Sequence, residues 1–147
     1  MKITIEPLPP GEEEEIIIRA DQLDDQLLQL IYAVKNRRSP FTGQLSDGSI
    51  RIIDPKTVYY FESVDNKVFA YGEKDVAEIK SKLYELEEQF TGTDFLRISK
   101  SVIVNLAKVK KLVPSISGRF EAVLNNGEVV IISRQYVPLL KKHFGLS

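Results

Sequence analysis

The chain has 147 residues, of which 43% are hydrophobic and 28% are charged. This balance is typical of a compact globular domain and argues against a disordered chain. With no cysteine and a single histidine, the sequence excludes disulfide frameworks, thiolate metal sites and cysteine nucleophiles.

The first forty residues predict a β-β-α extension. The alternation in Lys2–Glu6 and the β-branched run Ile16–Arg19 predict two short strands. A helix is expected over Asp21–Lys35, with its first residue as the cap. We therefore divide the chain into residues 1–40, an extension that packs on the rest or docks a partner, and residues 41–147, a second domain.

From residue 41 onward the sequence predicts mainly strands. The turn residues Ser46-Asp47-Gly48 predict a first hairpin. Strands are expected at Val58–Glu62 and Val68–Tyr71, and the polar segment Ser63–Lys67 between them is expected to be an exposed turn.

A long helix is predicted in the middle of the chain. Asp75 and Glu78 have the spacing of a capping box. Apolar residues then recur at helical spacing from Val76 to Phe90, before Gly92 ends the pattern. This apolar stripe is expected to lie in the core.

The last third predicts short strands and a closing helix. An extended segment Phe95–Ile98 is followed by a polar break and by the apolar run Val102–Val104, and Asn125-Asn126-Gly127 has the pattern of a hairpin turn. The closing helix follows Ser133, and its proline places the helix start at Val137 or Pro138. The fold class is therefore mainly β with short helices (α+β). Further strands are expected at Val109–Ser117, Arg119–Leu124 and Glu128–Ile132.

The charge is distributed unevenly along the chain. Residues 1–94 carry 11 basic and 19 acidic side chains, whereas residues 95–147 carry 9 basic and 2 acidic ones. A basic half suggests a polyanionic partner, and the alternative is a merely solubilising surface. Its lysines at 108, 110 and 111 are candidate phosphate contacts, and regular strand alternation would place Lys108 and Lys110 on one face and Lys111 on the other.

The sequence has few residues for catalysis or for cofactor binding. It has no glycine-rich phosphate loop, no nucleophile elbow and no paired-histidine motif. His143 has the position of a helix-end cation. We therefore expect no enzyme activity, no cofactor and no metal. No apolar run reaches the ~18 residues of a membrane span, and the charged start lacks a secretory signal, so we expect a cytoplasmic protein.

Three breaks between strands carry side chains suited to nucleic acid. They are Asp65-Asn66-Lys67, Ser99-Lys100-Ser101 and Ser133-Arg134-Gln135. Asparagine pairs with adenine edges, arginine and lysine pair with guanine edges, and serine or a helix start accepts phosphate. Each break alone is weak evidence, and their combination with the basic half favours DNA.

The order of these segments resembles the signature of LytTR DNA-binding domains over about residues 41–144. The resemblance implies an elongated arrangement of small antiparallel β-sheets that inserts loops, not a recognition helix, into the major groove. Family members commonly bind tandem direct repeats. The segments that carry the resemblance are Tyr59–Ser63 with Asn66, Phe95–Asn105, Lys108–Leu112, Leu124–Gly127 and Ile132–Tyr136.

The resemblance also implies roles for individual residues. Arg97 and Ser101 are assigned to phosphate contacts, and Asn105 to capping or fixing a loop. Many relatives have His-Arg where this chain has Ser99-Lys100, and lysine lacks the bidentate guanidinium, so base reading by Lys100 stays open beside phosphate contact alone. The family's DNA-contacting loops fall, by position, on Asn66, Lys67, Ser99, Lys100 and Arg134.

The sequence is thus interpreted as a stand-alone bacterial transcription regulator that binds double-stranded DNA. The β-β-α start is too short for a receiver domain, so control by abundance, by a homodimer or by a partner is expected. A membrane protein that restrains the regulator is implied by the resemblance alone. The competing hypothesis is a protein–protein interaction module with a solubilising basic surface.

Overall fold

The computed structural model describes residues 2–35 and 41–146. Within them lie three α-helices, ten strands and four short 3₁₀ helices. The α-helices are α1 (Asp25–Lys35), α2 (Leu83–Gln89) and α3 (Val137–Phe144). The strands are β1 (Phe41–Gln44), β2 (Ile50–Ile53), β3 (Tyr60–Val64), β4 (Lys67–Tyr71), β5 (Val76–Ile79), β6 (Phe95–Arg97), β7 (Val102–Asn105), β8 (Val109–Pro114), β9 (Phe120–Leu124) and β10 (Val129–Ile132). The 3₁₀ helices are Pro55–Thr57, Leu106–Lys108, Ile116–Gly118 and Arg134–Tyr136.

The strands form two antiparallel sheets. The larger sheet has the order β2-β1-β5-β4-β3-β7-β6, and the smaller has the order β10-β9-β8. Tight turns set the register of the hairpins. Asp65 and Asn66 both have positive φ, 51° and 64°, between β3 and β4, as a two-residue turn matched to the twist of the strands requires. The prediction of a mainly β protein with short helices is confirmed.

Two hydrophobic clusters lie on opposite faces of the larger sheet. Phe61 and Ile103 belong to the first cluster, together with Leu83 and Leu86 of α2. The second cluster joins Val104 to the smaller sheet and to α3. Alternation along β7 therefore sends neighbouring side chains into different clusters. Buried members of the second cluster are Tyr59, Ile98, Val104, Leu106, Ala122, Leu124, Ile132, Val137 and Leu140.

Four phenylalanines form the centre of the first cluster. The Phe61 ring centroid lies 5.8 Å from that of Phe41, 5.8 Å from that of Phe90 and 5.4 Å from that of Phe95. The Phe61 side chain is fully buried. This ring is the contact through which β3, β1, β6 and the end of α2 share one core.

The prediction of a long helix from Val76 to Phe90 is wrong for its first part. Residues 76–79 form β5, which pairs with β4 from Tyr71↔Val76 to Val68↔Ile79. Ala77 and Ile79 are buried while Val76 is exposed, which is strand alternation. The helix begins only at Leu83, where the Lys82 N–H donates to Glu85 Oε1 at 2.8 Å. Strand pairing with β4 thus prevails over the helical spacing of the apolar residues.

The two strands predicted in the extension are also wrong. Residues 2–24 form neither helix nor strand, and Ile5 is 91% exposed. A strand needs a paired main chain, and no strand of either sheet pairs with these residues. The predicted helix is present as α1, but its cap is Asp24, whose Oδ1 accepts from the Leu27 N–H at 2.8 Å. The predicted boundary at residue 40 lies outside the described residues.

Candidate nucleic-acid interface

Two of the three selected breaks lie at the same end of the larger sheet. The Asn66 turn (residues 65–66) follows β3, and the Lys100 turn (residues 99–101) precedes β7. β3 and β7 are antiparallel neighbours with Glu62 opposite Val102. The Ser63 N–H donates to the Ser101 carbonyl oxygen at 2.8 Å, so the end of β3 is joined directly to the Lys100 turn.

The third break is attached to the same end by another main-chain hydrogen bond. The Ser133 N–H donates to the Ile98 carbonyl oxygen at 2.8 Å. This bond connects the end of β10 to the residue that precedes the Lys100 turn. The Arg134 turn (residues 133–135) therefore begins beside the Lys100 turn, and the structure brings all three breaks to one end of the protein.

The Asn66 turn and the first residue of β4 expose the Asp65 carboxylate, the Asn66 amide and the Lys67 ammonium. Asn66 lies at φ 64°, a conformation that asparagine tolerates better than most residues. Its side chain and that of Lys67 are exposed. The backbone of this turn is fixed by the register Val64↔Lys67, so these two polar groups extend from a defined position.

The Arg97 side chain stabilises the Lys100 turn through hydrogen bonds to its main chain. Its Nε donates to the Ser99 carbonyl oxygen at 2.7 Å, and its Nη2 donates to the Lys100 carbonyl oxygen. Its Nη1 donates to Glu87 Oε1 at 3.1 Å. The side chain is only 16% exposed. The structure thus gives Arg97 a role in holding the turn, which the sequence did not suggest.

The remaining groups of the Lys100 turn divide between structure and surface. Ser99 Oγ accepts from the Ser101 N–H at 3.2 Å, a local bond typical of serine in turns. Lys100 is exposed, whereas both serines are partly buried. The ammonium of Lys100 is therefore the group that this turn presents to a ligand.

Asn105 fixes the junction at the end of β7 that is opposite the Lys100 turn. Its side chain is 3% exposed. Nδ2 donates to the Val58 carbonyl oxygen at 2.9 Å, and Oδ1 accepts from the Ala107 N–H at 3.1 Å. The predicted capping or loop-fixing role of Asn105 is confirmed, since its side chain caps the 3₁₀ helix after β7 and joins the end of β7 to Val58.

The basic segment before and within β8 does not alternate as predicted. Val109 pairs with Leu124 and Lys111 pairs with Val123, so Lys110 is the extra residue of a β-bulge. Lys110 and Lys111 are both exposed. Lys108 belongs to a 3₁₀ helix, and its Nζ lies 5.2 Å from the centre of the Tyr59 ring. The predicted pairing of Lys108 with Lys110 on one strand face is wrong, because the bulge groups Lys110 with Lys111.

A stacked tyrosine pair lies on β3 and β4 of the larger sheet, and no sequence pattern indicated it. The rings of Tyr60 and Tyr71 stack with centroids 4.4 Å apart. The Tyr71 hydroxyl donates to Glu62 Oε1 at 3.2 Å. Burial, followed by a hydrogen bond to the Glu128 carboxylate, raises the pKa of Tyr60. Tyr60 thereby connects β3 of the larger sheet with Glu128 of the β9–β10 turn.

The described residues offer little for other chemistry. In residues 2–35 and 41–146, no three side chains of histidine, aspartate or glutamate come together as a metal site. His143 lies in the last turn of α3, with Nε2 3.5 Å from Asp94 Oδ1. No helix in this part of the chain has both the length and the apolar character of a membrane span.

Known proteins are similar in sequence to this chain. An uncharacterized HTH-type transcriptional regulator of Staphylococcus aureus is 31% identical over 136 residues, which cover 91% of this chain and 91% of that protein. The sensory transduction protein LytT of Enterococcus faecalis is 24% identical over 143 residues, and this chain spans 59% of its length.

A solved structure supports the same relationship. A LytTr DNA-binding domain from Bacillus cereus superposes with a TM-score of 0.69 and 29% sequence identity, over 74% of this chain and 98% of that domain. The family model of the LytTr DNA-binding domain matches residues 48–145, from the β1–β2 turn to the end of α3. The matched region contains all three turns. The protein thus belongs to the LytTR family of DNA-binding domains.

Proposed function

We propose that the protein regulates transcription by inserting the Asn66, Lys100 and Arg134 turns into the major groove of double-stranded DNA. The observation that carries the proposal is the pair of main-chain hydrogen bonds, Ser63 to Ser101 and Ser133 to Ile98, which gather the turns at one end. Family membership supports DNA as the ligand. Binding at tandem direct repeats in the cytoplasm is part of the same proposal.

The exposed side chains of these turns have the chemistry of base and phosphate recognition. Asn66 is suited to the N6 and N7 positions of adenine, and Arg134 to O6 and N7 of guanine. Lys67 and Lys100 supply positive charge beside them. We assign Ser99 and Ser101 to phosphate contacts at the edge of the interface, since the Ser99 hydroxyl already accepts a hydrogen bond within the turn. We assign Arg97 to positioning, because its donors already bond the turn and Glu87.

The extension is proposed to stay away from DNA. Residues 1–40 carry 5 basic and 8 acidic side chains, including the run Glu12–Glu15, which would repel phosphate. We propose packing or partner docking for this segment, with a second copy of the chain or a membrane protein as candidate partners. Deleting residues 1–40 should change the affinity by no more than about twofold for a selected duplex, that is, one chosen from random sequences for tight binding to the protein. The reason is that the charges proposed to face phosphate lie elsewhere in the chain. Loss of binding by a truncated protein with native circular dichroism would contradict this.

The salt dependence of duplex binding tests the proposed function. Neutralising several phosphates releases counterions, so the affinity should fall with a log–log slope of about −0.9 per phosphate contacted. Fluorescence anisotropy with a random duplex at four salt concentrations measures this slope. A flat or absent response would reject DNA binding and favour a protein–protein interaction module.

The bulge in β8 makes a specific prediction about the lysines. Lys110→Ala and Lys111→Ala should each reduce the salt slope by about 1 and should weaken binding to selected and random duplexes alike. Lys108→Ala should have a smaller effect, because its ammonium lies over the Tyr59 ring and is less free to meet phosphate. Equal effects of Lys108 and Lys110, with none for Lys111, would instead indicate regular alternation.

A further inference from the structure

The turn between β8 and β9 lies against Arg134. This turn contains the 3₁₀ helix Ile116–Gly118, in which Ser117 and Gly118 both have positive φ, 63° and 74°. A Cβ atom built on Gly118 would lie 3.2 Å from Cδ and 3.3 Å from Cγ of Arg134. Ordinary carbon–carbon contacts are longer, about 3.5–4.0 Å. The absence of a side chain at residue 118 therefore provides the space that the Arg134 stem occupies.

We propose that Gly118 is a positioning residue that sets the direction of the Arg134 guanidinium and thereby the sequence specificity of the protein. The inference rests on the proposed function, in which Arg134 reads a base. It adds a fourth turn, distant in sequence from the three already described, to the specificity-determining structure.

The main chain and the aliphatic stem of Arg134 are both constrained in this arrangement. At the main chain, the Tyr136 N–H donates to the Ser133 carbonyl oxygen at 2.9 Å, and the Val137 N–H donates to the Arg134 carbonyl oxygen. At Cγ and Cδ, the stem lies on the backbone of Gly118. An arginine normally loses much side-chain entropy on binding, and contact with a fixed surface before binding reduces that loss.

The surface that supports Arg134 is itself rigid. The Ser115 N–H donates to the Arg119 carbonyl oxygen at 2.8 Å, and Pro114 pairs with Phe120. These pairings close the hairpin on both sides of Gly118. The position of its Cα relative to Arg134 is therefore set by the smaller sheet, and a bidentate contact to guanine needs such a defined direction.

Gly127 provides a matched control for the backbone requirement. It lies in the β9–β10 turn at φ 91°, and a Cβ built on it meets nothing within 4 Å. Alanine at residue 118 or 127 strains a left-handed backbone in the same way. Only alanine at 118 also displaces Arg134, so the difference between the two variants isolates the contact with the arginine.

The experiment compares Gly118→Ala with Gly127→Ala in the full chain. Thermal unfolding should show similar losses of stability. Anisotropy at one salt concentration gives the specificity ratio, which is the affinity for a selected duplex divided by the affinity for a random one. Gly127→Ala should change this ratio by no more than about twofold. Gly118→Ala should lower it by about fivefold or more, since a bidentate base contact is worth at least that factor. Adding Gly118→Ala to Arg134→Ala should cause no further loss. Equal specificity ratios of the two glycine variants would overturn the proposal.

A measurement without DNA separates this proposal from the proposed function. Without DNA, ¹⁵N relaxation of the Arg134 Nε should show a more ordered side chain in the original protein than in the Gly118→Ala variant. Equal order in the two proteins would overturn the proposal that Gly118 positions Arg134. A difference in order, in a protein that binds all duplexes equally, would instead overturn base reading and with it the specificity role. If Gly118→Ala fails to fold, Gly118→Asn keeps the Cβ on a residue that tolerates positive φ, and the same outcomes apply to it.

Discussion

Arg134→Lys should weaken binding to the selected duplex by about 1–3 kcal/mol while changing the affinity for random DNA little. The substitution keeps the positive charge and removes the planar fork that pairs with O6 and N7 of guanine. Because phosphate attraction depends mainly on charge, the non-specific affinity should persist. Anisotropy titrations of both duplexes at one salt concentration measure the change in the specificity ratio.

Arg51→Lys is the control for this experiment. Arg51 is also exposed, but it lies on β2, at the opposite edge of the larger sheet from β6, where it pairs with Asp75. Its substitution should leave the specificity ratio unchanged. Two results together would contradict base recognition and indicate that Arg134 contacts phosphate alone. Arg134→Lys would bind both duplexes as tightly as the original protein, and Arg134→Ala would weaken binding to both by the same factor.

Phe61→Ala should destabilise the protein by about 3–5 kcal/mol, the range for truncating a buried aromatic side chain. The loss is expected to be large because three other phenylalanine rings lie within 5.8 Å of Phe61, centroid to centroid. These rings belong to different elements, which limits how far the cavity can collapse. Urea unfolding followed by far-ultraviolet circular dichroism gives the free energy of unfolding.

Tyr84→Ala is the matched aromatic control. Tyr84 is 65% exposed on α2, so its truncation should change the free energy of unfolding by no more than about 0.5 kcal/mol. A loss below about 1 kcal/mol for Phe61→Ala would show that the cluster of four rings is not a close-packed core.

Local sequence signals predicted the hairpins well and the middle of the chain poorly. Asn125-Asn126-Gly127 and the polar turn before Val68 are short-range signals, because the turn residues themselves determine the backbone. The region from Val76 to Phe90 fits helical spacing as a whole, whereas its first four residues also fit a strand. That ambiguity is resolved by pairing with β4, a contact that a local pattern does not contain.

Residues of the candidate site could be predicted where a polar or charged side chain suited to DNA lies in a break between predicted strands. Asn66, Lys100 and Arg134 meet this condition, and the structure brings their turns to one end. Arg97 has the same residue type as Arg134 but points into a turn, and its role depends on the positions of two carbonyl oxygens. The contact between Gly118 and Arg134 joins residues 16 positions apart. Such a contact exists only after β8, β9 and β10 have paired in the smaller sheet.

The two hydrogen bonds that gather the turns have a consequence for how recognition can change. Both use main-chain donors and acceptors, so they do not depend on which side chains occupy residues 66, 100 and 134. Exchanging the side chains at residues 100 and 134 should therefore alter the preferred DNA sequence at little cost in stability, whereas residue 66 has to tolerate a positive φ. The fold separates the main-chain bonds that hold the turns from the side chains proposed to contact DNA, which makes this end of the sheet a suitable starting point for changing the DNA sequence that is bound.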